Sequence, residues 1–294
     1  WAVGRRVLER YAGLVGAGLI SVSFWSLMYS RVAIRHIGML PWALVAVYWG
    51  WRMLRGAYSH TRRGFAGVAI GVGAAVLTYY AGRLVPVLLV LMVPVAGPRQ
   101  GRWRAYLAAV ALGVALALPM FCTAAQTAGA DARVSELAIP IHALLEGDAH
   151  PLMETAWTTL GMAHARGDPE WLYNTSERPI FGTPGAILFY VGIAVALWRW
   201  RRPQSRVLLL WLALGISPAL ISLPPSSYGH TILALPPTYL MLASLIEPRA
   251  GSSRWIRLAT RAVAILLIAL TAARDLGDYF GDWPGTSMVR FLYR

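Results

Sequence analysis

Apolar residues fall along this chain in nine stretches, at 8–29, 38–54, 65–81, 84–97, 103–121, 183–198, 206–223, 229–246 and 255–273. Short polar connections separate all but two of them, and one connection is long. A helix needs roughly 20 apolar residues to cross the hydrocarbon core of a bilayer, and several of these stretches meet that length. Lipid offers no partner to open backbone groups, so crossings of this kind are helices. The pattern predicts an all-α polytopic membrane protein of about nine transmembrane helices. Residues 1–121 form an N-terminal set, 122–182 a long extracytoplasmic loop, 183–273 a C-terminal set, and 274–294 the start of an outward-facing segment. Two stretches predict irregularity. The stretch 84–97 is short, about 21 Å at 1.5 Å per residue, and holds Pro86 and Pro94, so a tilted, broken or re-entrant path competes with a straight crossing. Pro236-Pro237 predicts a kink within 229–246, because proline removes a helix hydrogen bond. Gly67 and Gly71, with Gly64 nearby, are spaced for close approach of helix backbones.

Charge then sets the orientation. All 27 basic side chains are arginine. Of these, 18 lie on alternate connections, in clusters around Arg5–Arg10, Arg52–Arg63, Arg99–Arg104, Arg199–Arg206 and Arg249–Arg261, with only Glu9 and Glu247 beside them. Arginine in short loops marks the cytoplasmic side. The loop 122–182 and the tail 274–294 therefore face outward, and the expected location is the plasma (inner) membrane, multi-pass. The net charge of +14 does not point to nucleic acid, since the arginines cap spans rather than line one polar face. The lone Cys122 excludes an internal disulfide. The chain begins with Trp1 and opens almost directly into a span, which predicts a fragment lacking sequence at both ends.

The arginines that disobey the bias carry the chemistry. Arg31 and Arg35 sit at the outer end of the first span, four residues apart, on one face if the helix continues. Arg83 follows Tyr79 and Tyr80 at the outer surface. A guanidinium grips phosphate oxygens bidentately, and a lipid-linked phosphate sits at this depth. Snorkelling to headgroups or pairing with loop acids is the competing reading. Tyr79 and Tyr80 fit either an aromatic belt or a sugar pocket. In the long loop, Asp168, Trp171, Asn174 and Arg178 lie in a polar–aromatic run just before the chain re-enters the membrane, a composition suited to holding a sugar or peptide, or simply to capping the bundle. Glu146, Asp148, His150 and Glu154 read as a solvated segment rather than a metal site, and no metal or cofactor is expected. The spans hold almost no acids, which disfavours an ion-coupled transporter.

These segments resemble the polytopic glycosyltransferases of the GT-C fold, in the branch of protein O-mannosyltransferases and lipid A aminoarabinose transferases (glycosyltransferase family 39-like). The likeness rests on Ser-Arg-x-x-x-Arg at 30–35, Thr-Tyr-Tyr-Ala-Gly-Arg at 78–83, Gly-Asp-x-x-Trp-x-x-Asn at 167–174, Arg178-Pro179, Leu235-Pro236 and Asp278-Tyr279-Phe280. It implies inverting transfer of a sugar from a polyprenyl-phosphate donor to a glycan, lipid or protein acceptor on the outer face. An aspartate would serve as general base, and basic groups would stabilise the leaving phosphate. By resemblance Arg31, Arg35 and Arg83 take the donor phosphate, with Tyr79, Tyr80, Asp168, Trp171, Asn174, Arg178 and His230 around the substrate. Relatives often carry arginine where this chain has His230. The family's catalytic aspartate lies in a first outer loop, which is expected upstream of Trp1. The alternative is a non-catalytic scaffold or flippase-like protein that binds polyprenyl lipids.

Overall fold

The computed structural model describes residues 1–7, 10–31, 35–56, 61–97, 103–127, 129, 132–175, 177–246 and 251–292. Every regular element among the described residues is helical. The N-terminal set comprises α1 (Ala2–Val7), α2 (Arg10–Val22), α3 (Phe24–Arg31), α4 (Arg35–Arg55), α5 (Thr61–Thr78), a 3-10 turn at Tyr80–Arg83, α6 (Leu84–Ala96) and α7 (Trp103–Gln126). The long connection folds into three short helices, α8 (Ala132–Leu137), α9 (Ile139–Leu145) and α10 (His150–Leu160), followed by a largely irregular stretch up to Gly182. The C-terminal set comprises α11 (Thr183–Trp198), α12 (Pro203–Ile221), a 3-10 turn at Ile232–Ala234, α13 (Leu235–Ser244) and α14 (Arg254–Gly277). A π-helical turn, Asp278–Asp282, carries α14 into α15 (Trp283–Gly285), and α16 (Ser287–Leu292) follows.

Length and hydropathy give three helices able to cross a membrane: α7, α12 and the run from α14 through α15. The pair α2–α3 makes a fourth if its two halves count as one span. The expected count of nine therefore exceeds the full-length spans among the described residues, and local chemistry shows why. Within the expected stretch 8–29, Tyr11–Val22 and Phe24–Arg31 are two helices bent by 56°. Ser23 lies at the break, donates its hydroxyl proton to Ile20 O (3.0 Å) and accepts from the N–H of Ser26 (3.2 Å), so it caps α3. The N–H of Phe24, opened by the break, reaches the Asp275 carboxylate at 2.9 Å. α4 has 21 residues but carries Arg35, His36, Arg52 and Arg55 at its ends, which shortens its apolar window. Tyr80–Ala96, α11 and Ile232–Ser244 are apolar but shorter.

The stretch 229–246 departs most from expectation. Its first residues form turns, and its α-helix starts only at Leu235, so Pro236 and Pro237 occupy the opening positions of α13. There a missing N–H costs nothing and the fixed φ suits the helix. The prolines begin a helix rather than kink one. Leu235 through Ala243 are all buried. α13 is thus enclosed by protein, the setting in which a short, interrupted helix is tolerated at membrane depth.

Small residues set the helix spacing. A side chain at Gly71 would meet the backbone of α4 at Ala46 N (2.8 Å) and Trp42 O (2.9 Å), and one at Gly67 would strike the Trp49 indole. On the far side of α5, a β-carbon at Gly113 of α7 would sit 2.7 Å from Ala69 O. α5 is therefore wedged between α4 and α7 at backbone contact.

Candidate functional site

The polar–aromatic run of the long loop folds around Asp168. Its Oδ1 accepts the N–H of Glu170 (2.9 Å), and its Oδ2 accepts the N–H of Tyr228 (2.6 Å), from the turn that precedes α13. The side chain is buried, and burial pushes its pKa up to about 6, although both N–H bonds favour the anion. Asn174 closes the loop by donating from Nδ2 to the carbonyls of Asp168 (2.8 Å) and Arg178 (2.9 Å). The Tyr228 hydroxyl donates to that same Arg178 carbonyl at 2.5 Å. Gly167 lies against these groups: a β-carbon there would sit 1.9 Å from Arg178 O and 2.3 Å from the Tyr228 hydroxyl. Only glycine fits. Glu177, whose carbonyl accepts the N–H of Gly167 (2.8 Å), has the left-handed φ of 56° that completes the turn.

Arg178 ties this loop to the far end of the chain. Its Nη2 bonds Asp275 and its Nε bonds Asp278, with the guanidinium 4.6 Å from the Phe24 ring. Burial works against its charge, but the two carboxylates outweigh burial and hold its pKa above the ordinary value. Arg274 adds bonds to the carbonyls of Ile180 (3.0 Å) and Pro179 (3.1 Å). Trp283 donates from Nε1 to the carbonyl of Trp171 at 3.1 Å. Asp168, Asn174 and Arg178 thus bond inside the fold, and Trp171 contributes its carbonyl to the same clamp. The clamp was only partly legible: Asp275 and Asp278 form an i, i+3 acid pair ending an apolar helix, which asks for a cationic partner.

A second constellation lies where four segments meet. Tyr173 from the loop stacks on Tyr29 of α3 (centroids 5.2 Å apart), Tyr29 meets His36 of α4 edge-on (5.5 Å), and His36 packs on Tyr79 at the end of α5 (3.9 Å). Gly229 makes room for this group, since a side chain there would approach His36 Nε2 and the Tyr29 hydroxyl at 3.1 Å. Arg35 acts electrostatically on both His36 and Tyr79, and His230 acts on His36. The Ser222 hydroxyl donates to Pro218 O (2.7 Å), so its 3.0 Å contact with His230 Nδ1 leaves the imidazole as donor there. The Tyr29 hydroxyl and His36 Nδ1 are buried and have no hydrogen-bond partner among the described residues. Such groups cost free energy unless something else satisfies them.

The three arginines expected to face outward do not share one contact set. Arg31 stacks over Tyr279 (5.5 Å) and Trp283 (5.0 Å). Arg83 lies between Tyr80 (4.0 Å) and Phe121 of α7 (4.8 Å), with a buried Nε lacking a partner among the described residues. Arg35 alone stands beside the His36–Tyr79 pair. Sequence reasoning named Tyr79 and His230 but missed Tyr29, His36 and Tyr173. The adjacency of His36 to Arg35 was the available signal. Among the described residues no three His, Cys, Asp or Glu side chains gather as a metal would require.

No protein-family model matches the chain, and no curated protein matches it. Among solved structures, it is similar to the archaeal oligosaccharyltransferase AglB from Archaeoglobus fulgidus, solved in complex with an inhibitory peptide and a dolichol-phosphate. The likeness covers 93% of this chain and 41% of that one, at 16% identity and a TM-score of 0.48. The chain thus spans less than half the length of the protein it matches. At that score the likeness decides neither family nor activity.

Proposed function

We propose that this chain takes part in transferring a sugar from a polyprenyl-phosphate-linked donor to an acceptor on the outer membrane face, and that it receives the lipid phosphate beside Arg35. The observation that carries this reading is the pair of buried, unsatisfied polar atoms, Tyr29 Oη and His36 Nδ1, next to a guanidinium and ringed by Tyr79, Tyr173 and His230. A phosphate oxygen fits such a place: Arg35 supplies charge, and the hydroxyl and imidazole supply donors. Arg83, one short turn beyond Tyr79, holds a second guanidinium braced by aromatic rings and flanks the donor. Arg31, over Tyr279 and Trp283, flanks it on the side of the clamp. As the glycosyl bond breaks, charge grows on the phosphate, and these groups favour the leaving state more than the bound donor. The loop around Asp168 covers this site and sets Tyr173 against Tyr29. The acceptor is a glycan, lipid or protein hydroxyl.

One observation favours a second reading. Both Asp168 oxygens are held by backbone N–H groups, so this carboxylate is engaged in structure rather than poised as a base. A protein that binds the lipid phosphate without transferring sugar would have this arrangement too. The full-length protein in nanodiscs, given polyprenyl-phosphate-linked sugars and a mixed acceptor pool, separates the two. Release of polyprenyl phosphate that falls about tenfold or more in Arg35→Ala, the worth of a charge-assisted hydrogen bond, supports transfer. Retained lipid binding with no release of polyprenyl phosphate contradicts transfer and leaves the second reading.

A further inference from the structure

α10 is amphipathic the wrong way round for a helix in water. Its inward side presents threonines: Thr155 and Thr159 are buried. Its outward side presents Met153, Trp157 and Leu160, which are 69%, 80% and 54% exposed. The spacing i, i+4, i+7 places these three on one stripe. The inward threonines are used. Thr159 donates from Oγ1 to the Ala219 carbonyl (2.8 Å) and accepts the N–H of Ser226 (3.0 Å), while the Ser226 hydroxyl donates to Thr158 O (3.0 Å). α10 is therefore fixed, and its apolar stripe cannot roll inward.

Two further observations say what covers the stripe. First, the anchor Ala219 lies in the last turn of α12, a helix of membrane-crossing length that ends at Ile221. α10 is held at the depth where a membrane-length helix leaves the hydrocarbon. Second, the stripe runs into the outward face of α11. Tyr190 lies 2.8 Å from His164 Nδ1 through its hydroxyl and donates weakly to the Leu160 carbonyl (3.4 Å). On the same side of α11, Ile187 and Val191 are exposed. An apolar helix face of this kind meets lipid, and Leu160 continues it.

We infer that α10 is an interfacial helix lying in the surface of the bilayer, with Met153, Trp157 and Leu160 immersed at the boundary between headgroups and acyl chains. The occupant of this face is lipid. Tryptophan favours this depth because its ring is apolar and its N–H is polar. Glu154, exposed beside the stripe, marks the edge turned to water. Anchored both to α12 and to the bilayer, the long connection is held flat on the membrane. This inference does not depend on whether the chain transfers sugar.

Fluorescence quenching in nanodiscs tests it. The native thiol is removed with Cys122→Ser, and an environment-sensitive dye is attached at Trp157→Cys, with Met153→Cys as a second stripe position and Glu154→Cys as the water-facing reference. All these side chains are exposed, so none of the changes empties the core. The expected result is blue-shifted emission at 157 and 153, quenched by lipids carrying a nitroxide at the fifth acyl carbon and shielded from aqueous iodide, with the opposite behaviour at 154. Iodide quenching at 157 and 153 equal to that at 154 would overturn the inference, because the face would then be solvated. Shielding from both quenchers would overturn it as well, since the cover would then be protein.

Discussion

Asp168 shows how one side chain can hold a loop and still be ill at ease. Burial lifts its pKa from 3.8 to about 6. Between those values the folded protein binds a proton that the unfolded chain has released. This group's contribution to stability is therefore fully present below about pH 4 and is lost as pH rises to about 6, by up to about 3 kcal/mol. Melting curves from pH 4 to 7 should show that decline in the wild type, and Asp168→Asn should flatten it while losing one of the two N–H acceptors. Equal slopes in the two proteins would contradict the assignment. Arg178 works in the opposite sense, because it neutralises Asp275 and Asp278. Arg178→Ala leaves Asp275 buried with its main cationic partner gone, and should cost about 3–5 kcal/mol. Denaturant titration in detergent measures it, and a loss under about 1 kcal/mol would show that the clamp contributes little. The sequence named Asp168, Asn174 and Arg178 as site residues. It could not show that the side chains of Asp168 and Arg178 point into the fold, because Tyr228, Asp275 and Asp278 lie 60, 97 and 100 residues away in the chain.

The helices were legible where hydropathy decides them and illegible where single hydrogen bonds do. The expected stretch at 183–198 and α11 coincide, since nothing polar interrupts it. The break at Ser23 is invisible to hydropathy because serine is small and its neighbours are apolar. Its role appears only when its hydroxyl accepts from Ser26 and Asp275 takes the amide of Phe24. Ser23→Ala should therefore cost about 1 kcal/mol, the worth of a helix cap, and amide exchange at the start of α3 should quicken. The prolines of α13 misled for a related reason: a proline pair kinks a helix or starts one, depending on where the helix begins. Close approach of α4 and α5 was readable from glycine spacing. Gly71→Val sets a β-carbon against backbone that cannot move aside, and should destabilise the protein by at least about 2 kcal/mol.

At the scale of the molecule, two ties converge on the same region. The loop after α10 is clamped to the end of α14 through Arg178, Arg274 and Trp283, and α3 is joined to α14 through Asp275. Between them, α3, α4, the end of α5 and the loop enclose Tyr29, His36, Tyr79 and Tyr173. Charge sorting along the sequence pointed to outward arginines, and the structure distinguishes them by surroundings: Arg31 with the clamp, Arg83 with α7, Arg35 with the buried unsatisfied groups. The role proposed for this last place is to recognise phosphate on a lipid. The most direct measurement compares equilibrium binding of a polyprenyl phosphate and the polyprenol of the same chain length to the protein in nanodiscs. The phosphate form should bind at least about tenfold more tightly, and the difference should collapse in Arg35→Ala but survive in Arg199→Ala, whose guanidinium packs on Trp198 instead. Equal binding of the two lipids by the wild type would contradict it.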